Sequence, residues 1–430
     1  MSDGTATIHL FRPKLATVLS EGYRLTDFHH DIIAGLTVAI VALPLSMAIA
    51  VGSGVSPDRG LYTAIIGGFI VSLLSGSRYQ IGGPAGAFIV LVAVTVGKYG
   101  MNGLLLTVML SGAMLTIASL LRLGTLIRHI PHAVTVGFTA GIAATIVASQ
   151  LKDLGGLRLL APEPGPLIPK IGVLAHSLAT LNPAALTLGL ATTAIIFGLK
   201  RARPVWPGML IALVLVSCAA ALLHLPIETI GSRFGGVPHT LLWPRFPDIT
   251  GKLLWQIAPS AFSFTLLGGV ESLLSAKVAD GMSGRKHRPN MELLAQGLAN
   301  IASALFGGIS VTGTIARTAT NIRAGGRSPI AGLMHALFLL MFMLIASPLA
   351  SYIPLSALAG VLLFVSWNMI EKHEIAHLLG DWHRALVLLA TFALTIIYDL
   401  TMGIIGGCVL AILFALAKRA GPENGHVTRP

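Results

Sequence analysis

From Ile32 almost to Lys418 the chain is a succession of apolar blocks separated by short polar connections. A membrane-crossing helix needs about 20 mostly apolar residues, and a half-helix fewer. On that measure the pattern predicts fourteen helical segments, at 31–52, 58–75, 84–98, 103–121, 131–150, 182–199, 205–224, 253–276, 291–307, 312–323, 329–347, 354–370, 384–399 and 401–417. The third and tenth are short. Both open on an interruption by glycine, proline or hydroxyl residues, Ile81-Gly-Gly-Pro-Ala-Gly-Ala-Phe88 and Ile309-Ser-Val-Thr-Gly-Thr-Ile-Ala-Arg317. They stand about 230 residues apart, one broken segment to each half, which is the arrangement that marks the substrate site in secondary transporters.

Composition agrees with the pattern. With 54% hydrophobic and 11% charged residues and a mean hydropathy of +0.82, this is a bilayer protein. The net charge of +12 would point to nucleic acid in a soluble chain, but its distribution follows the positive-inside rule. Fourteen spans with both termini on one side put 20 of the 29 Lys and Arg residues on that side, among them Arg12, Lys14, Arg24, Arg78, Arg122, Lys200, Arg201, Arg285, Lys286, Arg288 and Arg323. The opposite side receives Arg59, Lys98, Lys152, Arg158, Lys170, Arg233, Arg245 and Lys252, and Arg317 stays within the membrane. Cytoplasmic termini and an inner (plasma) membrane location are therefore expected. No basic run is interleaved with aromatics, so nucleic acid is not an expected partner.

The remaining features are quieter. Cys218 and Cys408 lie in apolar segments, where a thiol packs as a small hydrophobe, and imply neither a disulfide nor a metal site. The apolar run from Ile32 to Val51 is too long for a signal h-region and reads as the first span. The Pro/Gly-rich loops at 151–180 and 225–252 fall on the outside and leave room for short interfacial helices, and a polar tail follows the last span.

Chemistry begins at the two interruptions. A half-helix starting inside the bilayer presents unpaired backbone N–H groups and the positive end of its dipole, an anion site that needs no side chain. Gly82, Gly83, Ala85, Gly86, Gly313 and Ala316 let a ligand approach the backbone, Thr312 and Thr314 are placed to cap or donate, and Ser46, beside the kink-prone Pro44, is placed to line the same cavity. The plainer reading is close helix packing by small residues.

Two ionisable residues of the second half fall at membrane depth, Glu271 and Arg317, and intramembrane charges are functional candidates by default. Arg317 adds positive potential behind the helix dipoles. Glu271 is suited to carry a coupling proton, or to ligate Na⁺ together with Ser275. The plainer alternative is a structural salt bridge between Glu271 and Arg317.

A soluble-enzyme motif also has to be weighed. His373-Glu-Ile-Ala-His377-Leu-Leu-Gly380-Asp-Trp-His383 matches the metzincin zinc-protease pattern H-E-x-x-H-x-x-G-x-x-H. That signature needs a catalytic domain around it, whereas here it fills a short connection between two spans, so a membrane zinc metalloprotease remains only an alternative.

Several longer motifs resemble the sulfate permease (SulP) family of anion transporters over nearly the whole chain. They are Asp31-Ile-Ile-Ala-Gly-Leu-Thr-Val-Ala-Ile-Val-Ala-Leu-Pro44-Leu-Ser-Met-Ala48, Gly60-Leu-Tyr62, Gly83-Pro84, Glu271-Ser-Leu-Leu-Ser-Ala-Lys-Val-Ala-Asp280-Gly-Met, Ala295-Gln-Gly-Leu-Ala-Asn300, Thr312-Gly-Thr-Ile-Ala-Arg317-Thr-Ala-Thr-Asn321, Thr391-Phe-Ala-Leu-Thr395 and Asp399-Leu-Thr. The resemblance implies an all-α polytopic membrane protein of 14 segments in a 7+7 inverted repeat. Spans 1–4 and 8–11 would form a core domain, and spans 5–7 and 12–14 a gate domain. Along the chain this divides into a cytoplasmic segment 1–30, a first repeat 31–224, an external loop 225–252, a second repeat 253–417 and a cytoplasmic tail 418–430. The implied site takes Ala42, Leu45 and Ile49 from the first span, Pro84, Ala85 and Gly86 from the third, Glu271 from the eighth, and Thr314, Ile315, Ala316 and Arg317 from the tenth. Most members continue into a cytoplasmic STAS domain, which this sequence does not contain.

The expected function is secondary active transport of a small anion (sulfate, bicarbonate, chloride or a dicarboxylate) by elevator-like alternating access, H⁺-coupled or by exchange, with no enzymatic activity and no cofactor. The carboxylate at 271 favours H⁺. A Na⁺-coupled bicarbonate symporter, a neutral-solute carrier, a channel and a homodimeric assembly are the other readings kept open.

Overall fold

The computed structural model describes residues 11–127, 131–159, 164, 167–204, 206–398 and 400–420. Asp399 and parts of the expected N-terminal segment, of the loop 151–180 and of the C-terminal tail lie outside the described residues. A short α1 (Lys14–Glu21) leads into α2 (Leu25–Gly52), which carries Pro44 within it. Helices α3 (Pro57–Tyr62) and α4 (Gly68–Leu74) are joined by a π-turn at Thr63–Gly67. Strand β1 (Gly82–Gly83) and a 3₁₀ turn (Gly86–Phe88) open α5 (Ile89–Leu120), followed by α6 (Gly124–Ile127), α7 (His132–Gly155), α8 (Leu167–His176), α9 (Pro183–Ala202), α10 (Gly208–Leu222) and α11 (Ile230–Phe234).

The second half begins with α12 (Gly251–Ser283) and α13 (Pro289–Leu305). Strand β2 (Thr312–Gly313) then leads into α14 (Ile315–Arg323), α15 (Ile330–Ala350), α16 (Leu355–Met369), α17 (Lys372–Leu379), α18 (Trp382–Ile397) and α19 (Leu400–Ala420).

The fourteen expected segments are recognisable, and three of the shifts in boundary have a visible physical reason. The first helix starts at Leu25 and not at residue 31, because Asp31 is fully buried and satisfied there: it accepts hydrogen bonds from Tyr23 Oη at 2.7 Å and from the backbone N–H groups of Arg327 and Ser328 at 2.7 and 3.1 Å. The third and fourth segments run together as α5 and are broken at Gly100, whose φ of +67° and ψ of −176° favour glycine. The tenth starts at Ile315, since Thr312 and Gly313 are extended. The two long loops carry α8 and α11, as expected of short helices there.

Seven helical runs among the described residues are long and apolar enough to cross a membrane by length and composition alone, and four shorter apolar helices accompany them. Large apolar side chains such as Leu222, Ile345 and Leu349 point outward, as lipid-facing residues do. Cys408 packs against buried apolar residues, and Cys218 sits on the exposed face of the apolar helix α10.

Helix packing repeats itself between the halves. Numbering spans 1–14 in order, α2 packs on α15 (1 on 11) as α12 packs on α5 (8 on 4). Likewise α4 packs on α15 (2 on 11) as α13 packs on α5 (9 on 4), and α7 on α18 (5 on 13) as α16 on α9 (12 on 6). The chain is thus a 7+7 inverted repeat. Two contacts, α7 with α16 and β1 with β2, are their own counterparts and mark the pseudo-two-fold axis.

Close approach between halves rests on small residues. A Cβ on Gly112 of α5 would stand 2.6 Å from Gly297 O of α13, and one on Gly297 would stand 2.7 Å from Gly112 O. Both obstacles are backbone, so neither helix can yield without separating. Gly112→Val should therefore lower stability by about 1–3 kcal/mol, read as a lower thermal midpoint of the detergent-solubilised protein; an unchanged midpoint would contradict the packing.

Candidate functional site

The two interrupted segments meet. β1 and β2 form a two-residue antiparallel ladder in the register Gly82 with Gly313 and Gly83 with Thr312. Thr314 N donates to Ile81 O at 3.0 Å, extending the ladder by one bond, and Ile81 N donates to the Thr318 hydroxyl of α14 at 3.1 Å. Extended backbone inside a membrane must find partners within the protein, and each broken helix supplies them to the other. Beyond the strands the chains turn into helix without a side-chain cap at either start, Ala85 for the 3₁₀ turn and Thr314 for α14. The first-turn N–H groups of both half-helices therefore remain available. Thr314 makes no side-chain cap, and both hydroxyls donate to backbone carbonyls: Thr312 Oγ1 to Gly268 O at 3.3 Å and Thr314 Oγ1 to Ile81 O at 3.4 Å.

Arg317 enters this crossing from the first turn of α14 with 1% of its surface exposed. Its Nη2 donates to Ser46 Oγ at 3.1 Å and to Pro84 O at 3.3 Å, while Nε and Nη1 have no partner among the described residues. A Cβ on Gly83 would fall 1.8 Å from Nη1, so glycine is what makes room for the guanidinium. Ser46 is held by its own bond to Ala42 O at 2.7 Å. Ala42, Leu45, Ser46 and Ile49 occupy one face of α2 at helical spacing and are all buried.

Pro84 and Ala85 are buried, whereas Gly86 is only partly so, and a Cβ there would meet Ile146 Cδ1 of α7 at 3.5 Å and Met369 Sδ of α16 at 3.7 Å. One side of the crossing thus faces α7 and α16. Ile315 is half-buried and Ala316 exposed, which leaves the start of α14 open to a ligand.

Glu271 does not pair with Arg317: among the described residues no ion pair joins them, and Glu271 Oε2 is shielded without a hydrogen-bond partner. The alternative of a structural salt bridge between them is therefore not realised among the described residues, and both groups are left with unused hydrogen-bonding capacity. Glu271 lies one turn from Gly268, which receives Thr312, and one turn from Ser275, whose Oγ donates to Thr318 Oγ1 at 3.3 Å. It therefore shares the face of α12 that meets the crossing.

Sequence reasoning named two ionisable groups at depth and missed two more, Glu292 and His335, both fully buried. Glu292 accepts from Ser75 Oγ at 2.6 Å, Gly76 N at 3.1 Å, Ser272 Oγ at 3.2 Å and Gln296 Nε2 at 3.1 Å. Ser272 also receives Gln80 Nε2, at 3.1 Å on Oγ and 3.0 Å on the carbonyl, immediately before β1. A Cβ on Gly313 would sit 1.6 Å from that same Nε2. Glu292 thus anchors the approach to the crossing through Ser272 and Gln80. Its signal was legible: an acidic residue in the predicted ninth span, with a Gln one turn on.

The His-rich motif assembles no metal centre. Among the described residues no group of three potential ligands forms. Glu374 pairs with His132 Nε2 at 3.0 Å, and His383 sits on the next helix, stacked on Trp382 with ring centroids 3.8 Å apart.

A bilayer-embedded inverted repeat whose two broken helices cross around an unpaired buried cation defines a class, the polytopic membrane transporters. The model of the Sulfate permease family matches residues 28–393, and the chain belongs to that family, whose members are transporters and not enzymes. It is similar to YvdB of Bacillus subtilis (strain 168), with 41% identity over 94% of this chain and 77% of that protein. It is also similar to the bicarbonate transporter BicA of Picosynechococcus sp., with 30% identity over 92% of this chain and 72% of that one. Among solved structures, the transmembrane domain of a cyanobacterial bicarbonate transporter BicA aligns with a TM-score of 0.81 and 28% identity, covering 89% of this chain and 98% of its own.

Glu292→Ala should leave up to four donors without an acceptor, at about 1–3 kcal/mol for each that stays buried. The variant is expected to melt well below the wild type in detergent, with Glu292→Gln in between; equal melting of all three would remove Glu292 from its anchoring role.

Proposed function

We propose that the chain transports a small anion, bound where the two half-helix N-termini converge on Arg317. The observation that carries this reading is the buried guanidinium with Nε and Nη1 unpartnered, beside two uncapped helix starts. A buried cation without a carboxylate is costly by itself, and an arriving anion removes that cost. Family membership supports the class of substrate. Sulfate, bicarbonate, chloride and a dicarboxylate all suit a site built from N–H groups and one guanidinium, since it reads charge and size more than shape. The ligand contacts are Ala42, Leu45, Ser46 and Ile49, Pro84 to Gly86, and Thr312 to Arg317.

Transport in this reading is elevator-like. The helices that build the crossing (spans 1–4 and 8–11) form a core that moves against a gate of spans 5–7 and 12–14, and the partly open Gly86, against Ile146 and Met369, marks the surface between them. Glu271, with Ser275 one turn away, is the coupling-ion position, for H⁺ or in the second case Na⁺; exchange of one anion for another is the uncoupled form. The protein resides in the plasma membrane with both termini in the cytoplasm.

Uptake of labelled sulfate, bicarbonate, chloride and fumarate into proteoliposomes, with and without an inward H⁺ or Na⁺ gradient, tests the whole reading. Saturable uptake of one anion supports it, and no uptake of any of the four overturns it. Arg317→Ala should weaken binding of the transported anion about 10- to 100-fold, the equivalent of about 1.5–3 kcal/mol for hydrogen bonds to a charged group, at unchanged folded yield; unaltered affinity would remove Arg317 from the site. Glu271→Gln should abolish gradient-driven accumulation while sparing anion exchange, and retained uphill uptake would reject its coupling role.

A further inference from the structure

The connection between the two repeats runs from 235 to 250 without helix or strand, yet it is pinned to the ends of three helices. Tyr62 Oη of α3 donates to Thr240 O at 3.3 Å, and Arg245 N donates to Leu305 O, at the end of α13, at 2.8 Å. Asn102 of α5 clasps Asp248 twice: its Nδ2 donates to Asp248 O at 3.0 Å, and its Oδ1 accepts from Asp248 N at 2.8 Å. Beside these ties Arg59 Nη1 donates to Gly307 O at 2.7 Å. Gly307 has a φ of +75°, and a Cβ on it would stand 2.9 Å from both Arg59 Nη1 and Leu242 Cδ1, so glycine is what lets arginine and loop close up there. Since α2 leaves the end that holds the N-terminus, all of this lies at the opposite end of the molecule.

Between the loop and these helix ends is a cavity of about 480 Å³, the size of a small-molecule site and far more than an inorganic ion needs. Its charged walls are Arg59 and Arg245. Among the described residues neither is in an ion pair, with the neighbouring acids Asp58 and Asp248 or with any other, and the Arg245 side chain has no hydrogen bond. The rest of the wall is largely apolar. Ala304 is buried, Leu105 and Leu305 are half-buried, and Leu242 and Trp243 are open.

Trp243 is 85% exposed and Phe246, one residue past Arg245, 77%. Aromatic side chains held outward at one end of a membrane protein belong to the headgroup layer, where an apolar ring with a polar edge is at home. Arginines in that layer meet phosphate, whose oxygens match the guanidinium fork. A free ion would have no use for the apolar wall or the open rings.

We propose that this cavity holds the phosphodiester headgroup of a membrane phospholipid, its phosphate oxygens accepting from Arg59 and Arg245 and its glycerol and first methylenes lying against Leu105, Leu305 and Trp243. The lipid then ties the connection between the repeats to the ends of α3, α5 and α13. This headgroup site needs only the bilayer setting and is independent of the anion site at Arg317.

The test titrates the purified full chain, in mild detergent, with dioleoylphosphatidylglycerol and reads the affinity of the first bound lipid by native mass spectrometry. Arg245→Gln should weaken it about fivefold, and the double variant Arg59→Gln, Arg245→Gln further. The Arg245 side chain has no partner to lose, so its variant should melt with wild type in lipid-free detergent. Arg158→Gln, which removes an exposed cation from the 151–180 loop at the same end, should bind as wild type does, and dioleoylglycerol, with the same tails and no phosphate, should not compete. Equal affinity in wild type and Arg245→Gln, an equal loss in Arg158→Gln, or no lipid bound to wild type overturns the proposal. Competition by dioleoylglycerol would reduce the cavity to an apolar groove, and displacement by inorganic phosphate at the lipid's own concentration would make it a free-ion site; either result overturns it as well.

Discussion

The constraint on which this structure depends is that backbone polar groups in a bilayer have no water to turn to. Two segments leave the helical conformation at membrane depth, and each supplies the other's missing partners through the ladder of Gly82 with Gly313 and Gly83 with Thr312. That solution dictates much else. Side chains packed against the strands fill the space beside three of the four paired positions, so a Cβ at 82, 83 or 313 would collide with Val71, Arg317 or Gln80. The helices that follow must start in the interior, so their N-terminal N–H groups end in the same small volume.

Around that crossing the halves contribute unequally. The backbone is shared, but the charge is not: Arg317 and Glu271 come from the second half, whereas the first offers the mostly apolar face of Ala42, Leu45, Ser46 and Ile49 and the carbonyl of Pro84. Glu292 stabilises the approach through neutral donors and without a cation. This spares the interior an ion pair, whose desolvation cost can exceed its attraction.

Segment number, the two interruptions and the depth of Arg317 were legible because apolar length and Gly/Pro punctuation are local signals. The helix start at Leu25 was not, because a polar stretch containing Asp31 reads as a connection until Ser328 and Arg327 are seen beside it, nearly 300 residues away in sequence. The same holds for the crossing itself. Two adjacent residues of extended chain have no periodicity to detect, and their partners belong to the other half. Whether Glu271 pairs with Arg317 is not legible for a related reason: opposite charges at similar depth leave an ion pair open as an alternative, but α12 and α14 meet through Ser275 and Thr318. His335 was overlooked because one imidazole in a long apolar run leaves the hydropathy of its helix almost unchanged.

The position of the ladder on the pseudo-two-fold axis carries one more consequence. Strands related by that axis look alike from either end, so the backbone part of the site offers a visitor the same greeting whichever compartment it comes from. Nothing in that part is an arrow. Preference for one direction has to be written in what the axis does not repeat, namely the side chains supplied by a single half, and in whatever imbalance the cell maintains between the two sides.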